Sequence, residues 1–227
     1  MSYLKGAALL AVVAALPVNA AVLTFEEFNH GDDLVAMSDI AVPNTSITYN
    51  VSVSGNNAGS ALIFDTAENG TPDPDLEAPF AERDENGDLT GNFLDPGNIL
   101  IIGNNNPNGD PVNDDPNGGT ILLEFSQSVS FLSVNLFDTG DFNSEVDIEL
   151  FDSVGNVLGS FLNVGQFIGD NEYTTVTLSG FGSIASFTLT GSGAIDNLVV
   201  AVPEPTSLAL LGLGVLAGAG LRRRSRR

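Results

Sequence analysis

No cysteine and no tryptophan occur in this sequence, and it has one histidine, His30. Without thiols there is no cysteine nucleophile, no disulfide framework and no thiolate-rich zinc set. A serine triad would have to draw its base from His30, in the run Phe28-Asn29-His30-Gly31, and no nucleophile elbow accompanies it. No glycine motif of the phosphate-cradling kind is present. Positive charge is also scarce. Arg83 is the only Lys or Arg between Ala21 and Thr206, where all 29 Asp and Glu lie, so that stretch carries 1 − 29 = −28. Such a surface repels phosphate and anionic lipid, which excludes nucleic acid as a partner. It suits solubility in a salty or extracellular medium. Where carboxylates cluster, it also suits divalent cations.

The remaining positive charge sits at the ends. Lys5 precedes an apolar run from Ala7 to Leu16, followed by Pro17 and the small-residue site Val18-Asn19-Ala20. This is the layout of a secretory signal peptide over residues 1–20, cut after Ala20. At the other end, Ser207 to Leu221 carries no charge and is followed by Arg222, Arg223, Arg224, Arg226 and Arg227. A helix over 207–221 rises roughly 22 Å, short of the ~30 Å bilayer core. Arginine snorkelling and local thinning close that gap. The basic tail keeps this end in the cytoplasm.

Val202-Pro203-Glu204-Pro205, the apolar stretch and the arginine cluster together resemble the PEP-CTERM sorting signal of exported bacterial proteins. The resemblance implies an inner-membrane-anchored precursor, with Pro203, Glu204, Pro205, Arg222, Arg223 and Arg224 as its sorting residues. It further implies cleavage near the motif by an exosortase and release to the cell surface of a Gram-negative bacterium that makes extracellular polysaccharide. Pro203 and Pro205 resist helix and sheet, leaving an extended segment open to a processing enzyme.

Between the ends, short runs of β type recur, among them Ser46–Val53, Ser60–Asp65, Thr120–Ser126, Val129–Asp138, Glu145–Asp152, Tyr173–Ser179 and Ala194–Ala201. Several alternate: Ile121, Leu123 and Phe125 share one face, as do Val146, Ile148 and Leu150. No sustained helical period interrupts them. The expectation is one all-β domain over 21–201, a β-sandwich or jelly roll, with long acidic loops at 66–97 and 104–118. About 180 residues suffice for one core.

Three carboxylate patterns suggest chemistry. The loops gather Asp73, Asp75, Asp84, Asp88, Asp114 and Asp115 among Asn and Gly, the oxygen-rich setting calcium takes. Asp84–Asp88 (DENGD) places its glycine at the fourth position, so it is not an EF-hand loop. Asp73–Pro79 resembles a segment of other PEP-CTERM surface proteins, one without an assigned activity. Second, Glu26 and Glu27 in the first strand and Asp196 in the last resemble the terminal-strand acids that share a structural calcium in jelly-roll carbohydrate-binding modules. Edge-strand charge that limits aggregation is the alternative. Third, Glu145-Val146-Asp147-Ile148-Glu149 resembles the strand of laminarinase-type retaining glycosidases, which implies Glu145 as nucleophile, Asp147 as helper and Glu149 as acid/base. Residues i and i+4 stand roughly 13 Å apart at Cα, and long side chains converge toward the ~5 Å a retaining mechanism needs. Sugar clefts rely on aromatic platforms, however, and 21–201 has only Tyr49 and Tyr173 besides phenylalanine. The reading that results is a non-catalytic surface module, calcium-stabilised and associated with polysaccharide. The alternatives are a glycosidase using Glu145 and Glu149, and a coat protein with no ligand.

Overall fold

The structure is a computed structural model and describes residues 19–55, 58–104, 112–139, 146–189 and 191–202. Residues 1–18 of the expected signal peptide, the expected span at 207–221 and the sorting residues lie outside these, while Asn19 and Ala20, the last two residues of that expected peptide, open the first strand. Among the described residues no helix is long and apolar enough to cross a membrane.

Among the described residues there are twelve strands: β1 (Asn19–Leu23), β2 (Ile40–Ala41), β3 (Thr48–Ser54), β4 (Ala58–Asp65), β5 (Phe80–Arg83), β6 (Leu89–Leu94), β7 (Asn98–Asn104), β8 (Gly119–Phe137), β9 (Val146–Phe151), β10 (Val157–Val164), β11 (Glu172–Leu189) and β12 (Ala194–Val202). Two short 3₁₀ turns, Leu34–Ala36 and Pro74–Leu76, accompany them. The sequence expectation of an all-β sandwich is met. Two pairs of expected strands turn out to be single ones. Residues 120–126 and 129–138 run together as β8, and 173–179 and 184–190 as β11.

Those two long strands organise the rest. The first half of β8 pairs with β3, and its second half with β12. β11 follows β8 antiparallel along its length, from Tyr173 opposite Phe137 to Leu189 opposite Gly119. Its far half pairs with β9, which carries β10. One layer is thus β10-β9-β11-β8-β3-β2. The other is β6-β5-β11-β8-β12-β7-β4, with β1 beside β12. Each long strand crosses from one layer to the other at a break in register, between Thr177 and Gly180 and again between Gly182 and Ile184. Gly182 is required there: a Cβ would stand 2.7 Å from the Phe151 carbonyl oxygen.

Between the layers lies the main core, built from Tyr49, Leu123, Ile148 and Phe187 on one side and Ile63, Leu100, Phe131 and Val200 on the other. A second core covers the outer face of the β4-β7-β12 layer. Here the structure departs from the expectation of an irregular loop over 66–97. The segment holds β5 and β6, and its Leu76 and Phe80 are fully buried against Phe64, Ile99, Phe137 and Tyr173. Phe80 meets Phe137 edge-on with ring centroids 4.9 Å apart, and Phe137 stacks on Tyr173. Burial of apolar side chains overrides the polar composition of the segment.

Candidate functional site

The 3₁₀ turn Pro74–Leu76 is a plug. Leu76 anchors it in the second core, and Asn171 clamps it from outside, its side-chain amide donating to the carbonyls of Pro74, Asp75 and Glu77. Asn171 sits at φ 53°, a left-handed conformation that Asn tolerates better than most residues. The plug carries Asp73 and Asp75 inward. Three further carboxylates meet them: Asp114 from the strip that bridges β7 at Gly103, Asp138 from the end of β8, and Asp170 from the turn before β11. One oxygen each of Asp75, Asp138 and Asp170 lie within 4.8 Å of one another. The Asp114 amide donates to Asp73 Oδ2 at 3.3 Å, and Asp114 Oδ2 accepts from the Gly193 amide at 3.0 Å. Asp138 Oδ2 accepts from the Ser192 hydroxyl at 2.7 Å.

Asp73, Asp114 and Asp138 are buried. Burial, then the facing carboxylates of Asp75 and Asp114, push the Asp73 carboxyl far above its ordinary range. No cationic side chain relieves it. The guanidinium of Arg83 is engaged elsewhere, donating to both oxygens of Glu172 and to the Gly87 carbonyl. Burial works to raise the Glu172 carboxyl, yet Arg83 and the Gly169 amide bring it below its ordinary range.

A second acidic pair stands at the β1–β12 end. Asp196 in β12 is fully buried, and neither of its carboxylate oxygens has a hydrogen-bond partner. Burial pushes its carboxyl up to about 8. The Asn197 amide opposes that rise without reaching hydrogen-bond geometry, and Glu26 adds to it. Glu26 lies in the turn just after β1, where its Oε1 accepts from the Asn98 amide at 2.9 Å. Both acids adjoin residues with left-handed backbone, Phe25 at φ 56° and Asn197 at φ 50°. For a buried phenylalanine that conformation is costly, and such strain gathers where a site is held in shape.

The sequence-derived acids therefore fall into separate places. Asp73 and Asp75 join the plug cluster, and Glu26 and Asp196 come together. Glu27 does not join that pair; its charge is felt at Tyr49, whose hydroxyl is raised first by burial and then by Glu27. Asp84 and Asp88 sit at the β5–β6 hairpin, where Asp84 Oδ1 accepts from the amides of Asn86 and Asp88 at 2.9 and 3.0 Å. These bonds hold the exposed Asp84 carboxyl below its ordinary range and make it a turn residue. Glu145 lies outside the described residues. Asp147 and Glu149 alternate with the buried Val146, Ile148 and Leu150 of β9, and Asp147 Oδ1 accepts from the Asn163 amide at 2.9 Å. The sequence reading missed Asp138 and Asp170. Both stand at strand ends, and only the fold brings them to the plug.

No curated protein matches the sequence. Among solved structures the chain is similar to CpGH89CBM32-6 produced by Clostridium perfringens, at 9% identity and a TM-score of 0.35, over 75% of this chain and 98% of that one. It is also similar to the family 32 carbohydrate-binding module of C. perfringens NanJ in complex with galactose, at 10% identity and a TM-score of 0.33, over 81% and 98%. A Streptococcus pneumoniae fucose binding module matches at 15% identity and a TM-score of 0.29, over 44% and 86%. The model of the PEP-CTERM protein-sorting motif matches residues 201–224, beginning in the last two residues of β12. By that segment the chain is identified as a PEP-CTERM sorting-motif protein.

Proposed function

We propose that this is an exported, exosortase-processed surface protein, non-catalytic, whose β-sandwich is stiffened by calcium and resides among extracellular polysaccharide. The observation that carries it is the sorting motif at 201–224, which follows directly on the strand that closes the domain. The Pro203-Glu204-Pro205 segment is the stretch an exosortase would cut. The test replaces those three residues with alanine in an exosortase-bearing Gram-negative host. The expected outcome is a precursor held in the inner-membrane fraction, with little protein at the surface or in the medium. Release at the wild-type level would refute the processing claim.

Calcium is supported by the chemistry of the donors. An ionised carboxylate buried without a partner is costly. Asp196 relieves that cost either by holding a proton or by holding a cation. Glu26 and Asp196 would hold one ion, and Asp75, Asp138 and Asp170 another, with Asp73 and Asp114 shaping the second site. Hard oxygen ligands in this number suit calcium better than a transition metal. Bound calcium would supply the positive charge that Arg83 does not. The non-catalytic reading is supported by Asp147, whose Oδ1 is taken by the Asn163 amide instead of facing a substrate.

A further inference from the structure

A cleft of about 340 Å³ opens along β11 at Thr174–Thr177, walled by the start of the β5–β6 hairpin on one side and by the end of β10 with the Gly165–Ile168 turn on the other. It is separate from both acidic sites. Parallel pairing of β5 with β11 stops at Tyr173, and pairing with β9 begins only at Ile184. The cleft occupies that gap.

Its walls have a consistent chemistry. Phe167 is 55% exposed, as Phe93 and Phe181 also are to a greater extent, yet its base is fixed. Gly87, at φ +82°, lies beneath it, and a Cβ there would stand 2.9 Å from the Phe167 Cβ. The glycine makes room for the ring, which is left seated on backbone with surface turned to solvent. Around it, the amides of Asn163 and Gln166 and the hydroxyl of Thr177 offer both donors and acceptors, and the Thr175 hydroxyl, which donates to Asn135 Oδ1 at 2.9 Å, offers an acceptor. The one cation, Arg83, is already bound by Glu172 and the Gly87 carbonyl. Asp84 and Glu85 add negative charge at the rim. An anionic ligand finds no unengaged counter-charge here and meets repulsion from the rim. A purely apolar ligand would strand the amides and hydroxyls.

We infer that this cleft binds a neutral glycan, with Phe167 as the platform under a sugar ring and the Asn, Gln and Thr side chains reading its hydroxyls. Sugars combine apolar C–H faces with dense hydroxyls and no charge, and small-ligand clefts of this size pair apolar surface with a few placed polar groups. The inference rests on the reading of a protein displayed outside the cell, where such polymers lie.

Affinity electrophoresis of the full-length protein in detergent, through gels containing laminarin, dextran, galactomannan or alginate, tests it. At least one neutral polymer is expected to retard the protein, and alginate is not. Phe167→Ala should weaken the retention about tenfold, the scale of one lost aromatic contact. Phe167→Tyr should preserve it, and the melting midpoint should not change in either variant. Passage through all three neutral gels without retardation overturns the inference. So does retention by alginate alone, or undiminished retention of Phe167→Ala. Fractionation of the same strain separates this failure from that of the display reading: a surface-located protein that ignores neutral glycans sinks only the cleft, whereas a cytosolic one sinks display.

Discussion

Replacing Asp196 with asparagine tests the proposed cation site at the β1–β12 end at nearly constant shape. In the folded protein burial pushes this carboxyl up to about 8, with Glu26 contributing; an unfolded aspartate titrates near 3.9. In the absence of a cation the folded state therefore prefers the protonated form. The stability this contributes is complete below pH ~4 and is lost as pH rises through about 8. A difference of about four pH units, at ~1.4 kcal/mol each, sets an upper figure of about 6 kcal/mol. Water entry and local relaxation reduce it to about 3 kcal/mol. For a domain of this size each kcal/mol moves the melting midpoint by roughly 2–4 °C. Between pH 5 and pH 8.5, about three of those four units, Asp196 should thus lower the melting midpoint of the wild type in chelator by about 6 °C, and Asp196→Asn should lose that share of the fall. Calcium reverses the trend, since it binds the charged carboxylate. At about one hundred times the dissociation constant of this site, calcium there would return ~2.7 kcal/mol to the wild type at pH 8.5, a gain that the variant lacks. Melts at pH 5, 7 and 8.5, in chelator and in calcium, read these differences. They should be run in high salt, which screens the self-repulsion of so acidic a chain. Asp73 contributes a slope of the same sign to both proteins, so the comparison isolates Asp196. Parallel pH curves and equal calcium shifts for wild type and variant would refute the reasoning.

Two further outcomes are expected. Leu76→Ala should cost about 3 kcal/mol, the usual range for a leucine removed from a packed core, and should also lower calcium affinity, because the plug that carries Asp73 and Asp75 loses its anchor; calorimetry and thermal melts together check this. Glu145→Gln and Glu149→Gln should leave calcium binding and stability within about 0.5 kcal/mol of wild type, with no β-glucan hydrolysis to lose in any of the three proteins; reducing-sugar release by wild type that either substitution abolishes would restore the glycosidase.

Much of the sandwich could be read from alternation. Val146, Ile148 and Leu150 are buried in β9 while Asp147 and Glu149 are not, because one face of a strand meets the core and the other does not. The long strands were harder. Gln127 and Ser128 separate the expected strands 120–126 and 129–138, yet with Ser126 they are the exposed stretch where β8 passes between layers. β5 and β6 escaped because few of their residues face inward. Phe80 is the one fully buried side chain of β5, and all of β6 is at least partly exposed. The acidic composition of 66–97 signalled a cation site and concealed a plug, since one leucine and one phenylalanine are enough to seat it. Glu26 and Asp196 were named with Glu27 through a resemblance, as acids of the first and last strands; the structure places Glu26 in the turn after β1, where its charge adds to the rise of the Asp196 carboxyl in β12. The Asp75–Asp138–Asp170 group was not legible, for its members come from segments whose approach only the second core dictates.

β8 and β11 are held in common by both layers, and their pairing joins residues far apart along the chain, Gly119 with Leu189 at one extreme. Neither half of the sandwich can assemble ahead of the other, and neither can begin in earnest until β11 has been synthesised. Pairings this remote fold slowly. The two layers close only once β11 has emerged, so a chain threaded into a narrow secretion channel before that point would enter it with the sandwich still open.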